Sequence, residues 1–120
     1  MGNTADGQAA GLDPALRAEL HELTAILCKA LNDPKRLMLL YALAGGPRSV
    51  GELCELLDTT QPNVSQHLAM LRERGIVGTR RSGNSIFYSL RYPQLLHAID
   101  LLRDIMAAEA GRRRDLAGRA

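Results

Sequence analysis

The side chains best suited to recognising another molecule lie between residues 60 and 84. Amides and hydroxyls recur there at helical spacing, and arginines follow them. Amide side chains can pair bidentately with adenine, hydroxyls can serve either hydrogen-bonding partner on a base edge, and arginines suit phosphates. The alternative is a solvated helix face that happens to be rich in amides and, for the histidine, a core contact. The combination predicts binding of double-stranded DNA through Thr60, Gln61, Asn63, Ser65, Gln66, His67, Arg72, Arg80, Arg81 and Asn84.

Two helical patterns joined by a short polar turn would position these side chains. Ser49 and Glu52 form a capping box, in which a hydroxyl and a carboxylate each satisfy an unpaired backbone N–H at the helix start. The predicted apolar face of this first helix comprises Val50, Leu53, Leu56 and Leu57. The second helix is expected at about residues 61–74, capped by Thr60, with an inner face of Val64, Leu68 and Leu71. Such a pair is a helix-turn-helix, whose second helix, the recognition helix, enters the DNA major groove.

A basic hairpin is predicted directly after the recognition helix. Its strands are expected at residues 76–81 and 85–90, and a Ser-Gly-Asn-Ser turn at residues 82–85 joins them. Arg80 and Arg81 lie near its tip. A hairpin of this kind beside a recognition helix is a wing, which reaches backbone phosphates or an adjacent minor groove.

Three further helices are predicted outside this segment. Asp13-Pro14 and Asn32-Asp33-Pro34 show the cap-then-proline pattern of a helix start, and the last helix is expected at about residues 92–110. Lys35 and Arg36 lie in a first helical turn, where the helix dipole disfavours positive charge. Simple solvation is the preferred explanation for these two side chains, and a nearby phosphate is the alternative.

The first and last helices carry apolar stripes. The first helix has leucines at helical spacing: Leu16, Leu20, Leu23, Leu27 and Leu31. The last helix has a wide apolar face made of Leu95, Leu96, Ile99, Leu102, Ile105 and Met106. So small a domain cannot hide this much apolar surface. We therefore expect a mainly α fold with a small β-hairpin, a winged helix-turn-helix, that forms a twofold homodimer through its first and last helices.

Charge is unevenly distributed along the chain. The 120 residues carry a net charge of +2. Residues 1–59 contain five basic and eight acidic residues, a net −3, whereas residues 60–91 contain five arginines and one glutamate, a net +4. Positive charge is therefore concentrated on the predicted recognition helix and wing, as binding to DNA requires.

The length of the chain predicts a single domain. We expect a flexible tail at residues 1–11, the winged helix-turn-helix domain at residues 12–110 and a frayed basic tail at residues 111–120. No uninterrupted apolar run is long enough for a membrane span and no secretory signal is recognisable, so a cytoplasmic protein with reduced thiols is expected. Enzyme activity is not expected, because His21, His67 and His97 fall on three separate helices without a catalytic constellation.

Several segments resemble the ArsR/SmtB family of bacterial winged-helix repressors. They are LNDPKRLMLLYAL, SVGELCELL, TQPNVSQHLAMLRERGIV and RRSGNSIFYSL. The resemblance covers about residues 23–106. It implies a homodimer that binds an operator palindrome in double-stranded DNA and leaves it when an inducer, often a metal or metalloid ion, binds. No cofactor is required for such binding.

The inducer is expected to act at the two cysteines. Cys54 falls where metal-sensing members of the family often begin a Cys-Val-Cys motif, but Leu56 stands where the second thiol would be. Cys28 would have to supply a second ligand and His21 a third, for arsenite, antimonite, cadmium, lead or zinc. The alternative is that the two thiols pack in the core or have no sensing role, because free cysteine commonly behaves as a small buried apolar residue.

A metal site on the last helix is a weaker hypothesis. His97, Asp100 and Asp104 share one face of that helix and could hold zinc or nickel across a dimer axis. The preferred interpretation is that these three residues form a solvent-exposed face of the helix. The zinc site that some family members carry on the last helix is absent, since its aligned positions here are Tyr92, Gln94, Ile105 and Ala108.

Redox chemistry is a third possibility for the inducer. Cys28 and Cys54 could form a disulfide or polysulfide bridge in response to peroxide or reactive sulfur, provided that their Cα atoms lie within about 7 Å. Relatives that sense sulfur species place their thiols in the second and last helices. This chain has Tyr41 in the second helix and no cysteine in the last.

Overall fold

The computed structural model describes residues 11–119, so most of the tail predicted at residues 1–11 lies outside the described residues. The helices are α1 Pro14–Leu23, α2 Lys29–Leu31, α3 Pro34–Ala42, α4 Val50–Leu57, α5 Gln61–Glu73 and α6 Gln94–Arg119. The strands are β1 Arg48–Ser49, β2 Val77–Ser82 and β3 Ser85–Leu90. A π-helical turn, Thr24–Cys28, joins α1 to α2, and a 3-10 turn, Leu43–Gly45, follows α3. The predicted mainly α fold with a small hairpin is confirmed.

The helix-turn-helix forms as the sequence predicts. The Ser49 hydroxyl accepts a hydrogen bond from the Glu52 backbone N–H (3.2 Å), and the Ser49 N–H donates to the Glu52 carboxylate (2.9 Å). α4 ends at Leu57, and its C-cap residue Asp58 turns the chain sharply with a φ of 52°. α5 then packs against α3 and α4. Its predicted inner face is confirmed, because all three side chains are buried: Val64, Leu68 and Leu71.

The apolar face predicted for α4 is wrong at one position. Leu53 is fully buried, but Leu56 is 54% exposed. Cys54 packs against the core in its place, together with Val50 and Leu57. These inward positions follow the i, i+3, i+4, i+7 spacing of one helix face, and residue 56 falls outside that stripe.

The wing is a three-stranded antiparallel sheet in the order β1-β3-β2. β2 begins one residue later than expected and pairs with β3 as far as Ser82 opposite Ser85. The two-residue loop between them uses Gly83 at a φ of 63°, a conformation that glycine adopts without strain. β1 was not predicted, because two residues are too short to show periodicity; it pairs Arg48 with Tyr88.

The core is almost entirely aliphatic and lies beneath the recognition helix. No polar or charged residue within the range 11–119 is buried. The helix-turn-helix, the base of the wing, α3 and one turn of α6 all contribute. The buried residues are Ala30, Leu39, Leu40, Leu43, Leu53, Val64, Leu68, Leu71, Ile76, Val77 and Ile99.

The first and last helices keep apolar stripes on the surface of the protomer. α1, the π turn and α2 form one continuous helix, which we call the N-terminal helix. Its leucines reach the core only from Leu27 onwards. Exposed apolar side chains on this helix are Leu16, Leu20, Leu23 and Ile26. Those on α6 are Leu101, Leu102, Ile105, Met106 and Leu116.

The C-terminal tail prediction is wrong within the described residues, because α6 continues to Arg119 instead of ending near residue 110. Glu109 supports the extension by accepting hydrogen bonds from Arg112 (Nε, 3.0 Å) and Arg113 (Nε, 3.3 Å), at i+3 and i+4. Gly111 lies within the extension, but one glycine costs a helix only about 1 kcal/mol relative to alanine. Even so, no helix in the described range is both long and apolar enough to cross a membrane.

Candidate DNA-binding surface and thiol positions

Helix α5 presents a polar outer face, which we call the reading face. It consists of the exposed residues Gln61, Ser65, Gln66 and Arg72. Residues 61, 65 and 72 lie within about 40° of one another around the helix, at the edge of the exposed side, and Gln66 lies about 100° further round than Ser65. The buried leucine and valine side fixes the rotation of α5 about its own axis. Gln66 therefore points almost directly away from the core, whereas Gln61, Ser65 and Arg72 are exposed along the edge of the buried side.

Thr60 and Asn63, two predicted DNA-contact residues at the start of the recognition helix, differ in their exposure and hydrogen bonding. Thr60 has the extended backbone of an N-cap, but its side chain makes no capping hydrogen bond, so the capping prediction is wrong for the hydroxyl. The residue is exposed beside the reading face. Asn63 is half-buried, and its Nδ2 donates to Thr59 Oγ1 (3.2 Å). Its amide holds the turn together, so we leave Asn63 out of the reading face.

His67 lies on the inner flank of α5 and contacts α3. Its side chain is 16% exposed, and Arg36 Nη1 lies 3.3 Å from its Nδ1. Because a guanidinium has no acceptor, Nδ1 must accept this hydrogen bond, so the neutral ring carries its proton on Nε2. Asp33 Oδ1 is 3.9 Å from that nitrogen. His67 is therefore held within the protomer, and we also leave it out of the reading face.

The two basic residues in the first turn of α3 have internal partners, which corrects both the solvation and the phosphate explanations. Arg36 Nε donates to the Ala30 carbonyl (2.6 Å) and Nη2 donates to that of Lys29 (3.2 Å), at the end of the N-terminal helix. Lys35 Nζ lies 3.4 Å from Thr59 Oγ1. Arg36 thus bridges the end of the N-terminal helix to the recognition helix, a role that a sequence pattern does not reveal.

Asp33 offsets the unfavourable charge in this turn. Its carboxylate caps α3 by accepting the backbone N–H groups of Lys35 (2.8 Å) and Arg36 (3.2 Å). Partial burial, the largest single influence, tends to raise the pKa of Asp33, but these hydrogen bonds and the positive charge nearby together lower the pKa below its ordinary value. The carboxylate is therefore ionised at neutral pH.

The wing carries positive charge on both of its faces. Arg80 pairs with Phe87 and Arg81 with Ile86, and adjacent residues of a strand point to opposite faces of the sheet. Both arginines are exposed, as is Asn84 in the two-residue loop. Among the five arginines counted between residues 60 and 91, Arg74 turns inward and donates to carbonyls of the N-terminal helix. Arg72 is the positive charge of the reading face, and Arg80 and Arg81 are exposed positive charges of the wing.

The two cysteines occupy different environments. Cys54 is half-buried on the inner face of α4. Cys28 is exposed and lines an open groove of about 750 Å³ between the N-terminal helix and α6, to which Leu102 also contributes. Within one protomer, no three His, Cys, Asp or Glu residues in the range 11–119 are gathered closely enough to hold a metal ion. Cys54, Cys28 and His21 therefore do not form a three-ligand site in the protomer.

The metal site considered for the last helix is likewise not assembled within the described part of the protomer. His97, Asp100 and Asp104 line a groove along α6 but are not gathered as a ligand set in the described protomer. Asp100 instead accepts hydrogen bonds from the Tyr41 hydroxyl and from Arg103 Nη1 (3.0 Å). The guanidinium carbon of Arg103 lies 5.4 Å from the Tyr41 ring centroid. These three side chains join α6 to α3, a contact between distant residues that no spacing in the sequence indicates.

Replacing Tyr41 with phenylalanine should raise the pKa of Asp100. Hydrogen bonds from Tyr41 and then Arg103 lower that pKa below its ordinary value. Because the folded pKa is depressed, the interaction stabilises the fold above the unfolded pKa of about 3.9 and is lost as the pH falls through the folded value. An NMR titration of the carboxyl carbon measures the midpoint in both proteins. An unchanged midpoint in Tyr41→Phe would show that the hydroxyl does not contact the carboxylate.

Comparison with known proteins places this surface in a known family. The family model described as "Bacterial regulatory protein, arsR family" matches residues 33–79, from the cap of α3 to the first residues of β2. The chain is 47% identical over 95 residues to the biofilm growth-associated repressor of Agrobacterium fabrum, covering 79% of this chain and 80% of that protein. It is 40% identical over 77 residues to the transcriptional activator HlyU of Vibrio cholerae, covering 64% and 71% respectively.

A solved structure agrees with both the fold and the sequence similarity. The homodimeric winged helix-turn-helix DNA-binding domain Mb0332 of Mycobacterium bovis, described as a possible ArsR-family regulator, superposes with a TM-score of 0.69. The identity is 26%, and the match covers 83% of this chain and 94% of that one. The reading face and wing thus have the architecture of known DNA-binding regulators, and this chain belongs to the ArsR family of bacterial winged helix-turn-helix transcriptional regulators.

Proposed function

We propose that this protein is a cytoplasmic, dimeric repressor that binds an operator palindrome in double-stranded DNA. The observation that carries this proposal is the reading face, Gln61, Ser65, Gln66 and Arg72, held outward by the buried side of α5 and flanked by the arginines of the wing. Amides and hydroxyls discriminate between base edges in the major groove, whereas wing arginines bind phosphates of any sequence. The surface therefore combines specific and general DNA contacts.

The exposed apolar stripes support assembly into a homodimer. Apolar surface is exposed on the two terminal helices, at Leu16, Leu20 and Leu23 on α1 and at Leu102 and Ile105 on α6. Pairing these helices with those of a second copy would bury this surface. A twofold dimer presents two reading faces, and two major-groove half-sites must then lie roughly 10 base pairs, or a multiple of this, apart.

A gel-shift titration at two salt concentrations tests the proposal directly. The probes are the DNA upstream of the protein's own gene and a random duplex of equal length. A specific repressor is expected to prefer the upstream DNA by about 10³-fold or more, with affinity for both probes falling as salt rises. Equal affinity for both probes would favour the alternative, a winged-helix interaction module without sequence readout. A promoter reporter then distinguishes repression from the activation that HlyU's name describes.

Replacing Gln66 with alanine should weaken specific binding selectively. The amide has the geometry to pair with adenine, and a bidentate pair discriminates between bases by about 1–3 kcal/mol. Affinity for the operator should fall accordingly, whereas affinity for random DNA should stay unchanged, as measured by fluorescence anisotropy. Gln94→Ala, which removes an exposed amide at the start of α6, is the matched control. An equal loss on both duplexes would contradict a base-reading role.

Replacing Arg81 with alanine should lower affinity on every sequence. Its side chain lies near the wing tip, where a phosphate contact contributes affinity without sequence information. The slope of log affinity against log salt should become shallower by about 1 for each arginine lost. Arg17→Ala on α1, an exposed arginine far along the chain from the wing, is the charge-matched control. A variant with an unchanged salt slope would show that Arg81 is not a phosphate contact.

The inducer is proposed to act through thiol chemistry, and accessibility favours Cys28 over Cys54. Cys28 is exposed in the groove beside α6, whereas Cys54 is half-buried against the core. Soft ions such as arsenite, antimonite, cadmium and lead prefer thiolates, zinc accepts them, and reactive sulfur or oxygen species oxidise them. An inducer that binds the low-affinity state of the dimer better must weaken DNA binding by the same coupling free energy, typically 1–3 kcal/mol.

A release assay separates these possibilities. The operator complex is challenged with arsenite, cadmium, zinc, peroxide and polysulfide, using the wild type and the Cys28→Ser and Cys54→Ser variants. Release that only Cys28→Ser abolishes supports Cys28 as the sensing thiol. Release that either variant abolishes supports joint action of both cysteines. No release by any agent would favour a repressor that is controlled by other means.

A further inference from the structure

The N-terminal helix contains a π-helical turn, Thr24–Cys28, in which a backbone hydrogen bond is shifted by one residue. The Lys29 N–H, which would bond to the Ala25 carbonyl in an α-helix, bonds to the Thr24 carbonyl one residue earlier. The Ala25 carbonyl therefore lacks its usual α-helical donor. Arg74 supplies one, because its Nη1 donates to the Ala25 carbonyl and lies 3.2 Å from that of Ile26. The π turn thus creates an acceptor site on the side of the N-terminal helix.

Arg74 is the C-cap residue of the recognition helix. Gly75 follows it with a φ of 75° and directs the chain into the wing. The Arg74 backbone N–H bonds to carbonyls of Met70 and Arg72, so the residue that carries the guanidinium is fixed to the end of α5. A guanidinium bound to two carbonyls is a charge-assisted contact, which is stronger than a neutral hydrogen bond. The end of the recognition helix is therefore tied to the π turn.

A second connection joins the same two helices further along. Arg36 binds the carbonyls of Lys29 and Ala30 and contacts His67 on the recognition helix. Residues 67 and 74 are about 10 Å apart along α5. One connection would let α5 pivot against the N-terminal helix, whereas two connections at separate points fix the angle between the helices.

We propose that Arg74 is a positioning residue for operator recognition, which sets the distance and angle between the two reading faces of the dimer. The inference rests on the proposed function, in which the N-terminal helix belongs to the dimer interface. In a twofold dimer, a change in the angle between α5 and that helix occurs in both protomers. The angle between the two recognition helices then changes by twice as much. Arg74 therefore acts on the preferred spacing of the half-sites and makes no DNA contact of its own.

The test measures affinity as a function of half-site spacing. The operator is prepared with its half-sites at the natural spacing and moved by one and two base pairs in either direction, since each inserted pair rotates one half-site by roughly a tenth of a turn. The proteins are the wild type, Arg74→Gln and Arg72→Gln. Arg72 is the matched control, because it is exposed two residues earlier on the same helix. Thermal unfolding establishes that each variant is folded at the assay temperature.

Arg74→Gln is expected to lose about tenfold in affinity at the natural spacing, the range expected for one charge-assisted hydrogen bond, and little at the shifted spacings. Its affinity for an isolated half-site and its salt slope should match those of the wild type. Arg72→Gln should instead weaken binding at every spacing and flatten the salt slope. Arg74→Lys, which keeps the charge but loses the forked geometry, should restore part of the preference.

Different experimental results would contradict the positioning role of Arg74 and the proposed function. A folded Arg74→Gln that keeps the wild-type spacing preference, or lowers affinity equally at every spacing, would overturn the inference alone. A wild type that prefers no palindrome to random DNA would remove the proposed function and the inference with it. If Arg74→Gln does not fold, Arg74→Lys carries the test. A lysine variant with the full wild-type preference would then overturn the positioning role.

Discussion

Replacing Ile105 with glutamate should convert the protein to monomers and abolish operator binding at concentrations where the wild type binds fully. Ile105 is 64% exposed on α6, beside Leu102 and Met106, in the middle of the stripe that we assign to the dimer. A buried, unpaired carboxylate at a twofold axis would face its own copy, so both desolvation and repulsion oppose pairing. Loss of the second reading face removes an avidity gain of about 10²–10⁴-fold.

The measurement pairs sedimentation analysis with anisotropy on the operator. Ala107→Glu is the matched control, because it introduces the same charge on α6 at an exposed position more than a quarter-turn from Ile105. This control should remain dimeric and bind normally. Monomers that still hold the full palindrome with wild-type affinity would show that dimerisation does not contribute to recognition. A dimeric Ile105→Glu would place the interface elsewhere.

Replacing Leu53 with alanine should lower the free energy of unfolding by about 2–5 kcal/mol, the usual cost of deleting a fully buried leucine. Leu53 is completely buried between α4 and the rest of the core. The resulting cavity would lie beneath the helix-turn-helix, so that destabilisation reaches the recognition helix as well. Since small domains are stable by about 5–15 kcal/mol, the variant should unfold at clearly lower urea concentration.

Leu56 provides a control of the same chemistry on the same helix. It is 54% exposed, so Leu56→Ala should change the free energy of unfolding by roughly 0.5 kcal/mol or less. Urea titrations followed by circular dichroism measure both variants. Equal losses would mean that α4 is rotated so that residue 56 also faces the core, as the sequence pattern had suggested. The pair therefore tests the orientation of the helix directly.

Local sequence rules determined the helix-turn-helix and most of the wing. The capping box at Ser49 and Glu52, the Asp33-Pro34 start of α3 and the glycine of the wing turn act over a few residues, so their geometry is encoded by neighbours in the chain. The buried side of α5 followed from the spacing of three apolar residues. The outward direction of Gln61, Ser65 and Gln66 was predictable for the same reason.

Only the tertiary structure decided which polar side chains are used inside the protomer. Asn63 and His67 have the same character as their neighbours on α5, yet Thr59 and Arg36 engage them. By its charge and position in the sequence, Arg74 belonged to the predicted positive surface. In the structure its guanidinium binds the π turn, where Ile26 is 48 residues away along the chain. The orientation of Leu56 and the contact between Tyr41 and Asp100 were likewise not encoded by local spacing.

The difference between the features that the sequence predicts and those that it does not has a simple physical origin. Caps, turns and helix faces depend on interactions over about four residues, which a sequence displays directly. Hydrogen bonds between distant segments depend on where the helices meet, and that is set by the packing of the whole core. The sequence by itself therefore determined the DNA-reading architecture and the family. The tertiary structure decided which arginines remain exposed and which ones bind carbonyls of the N-terminal helix.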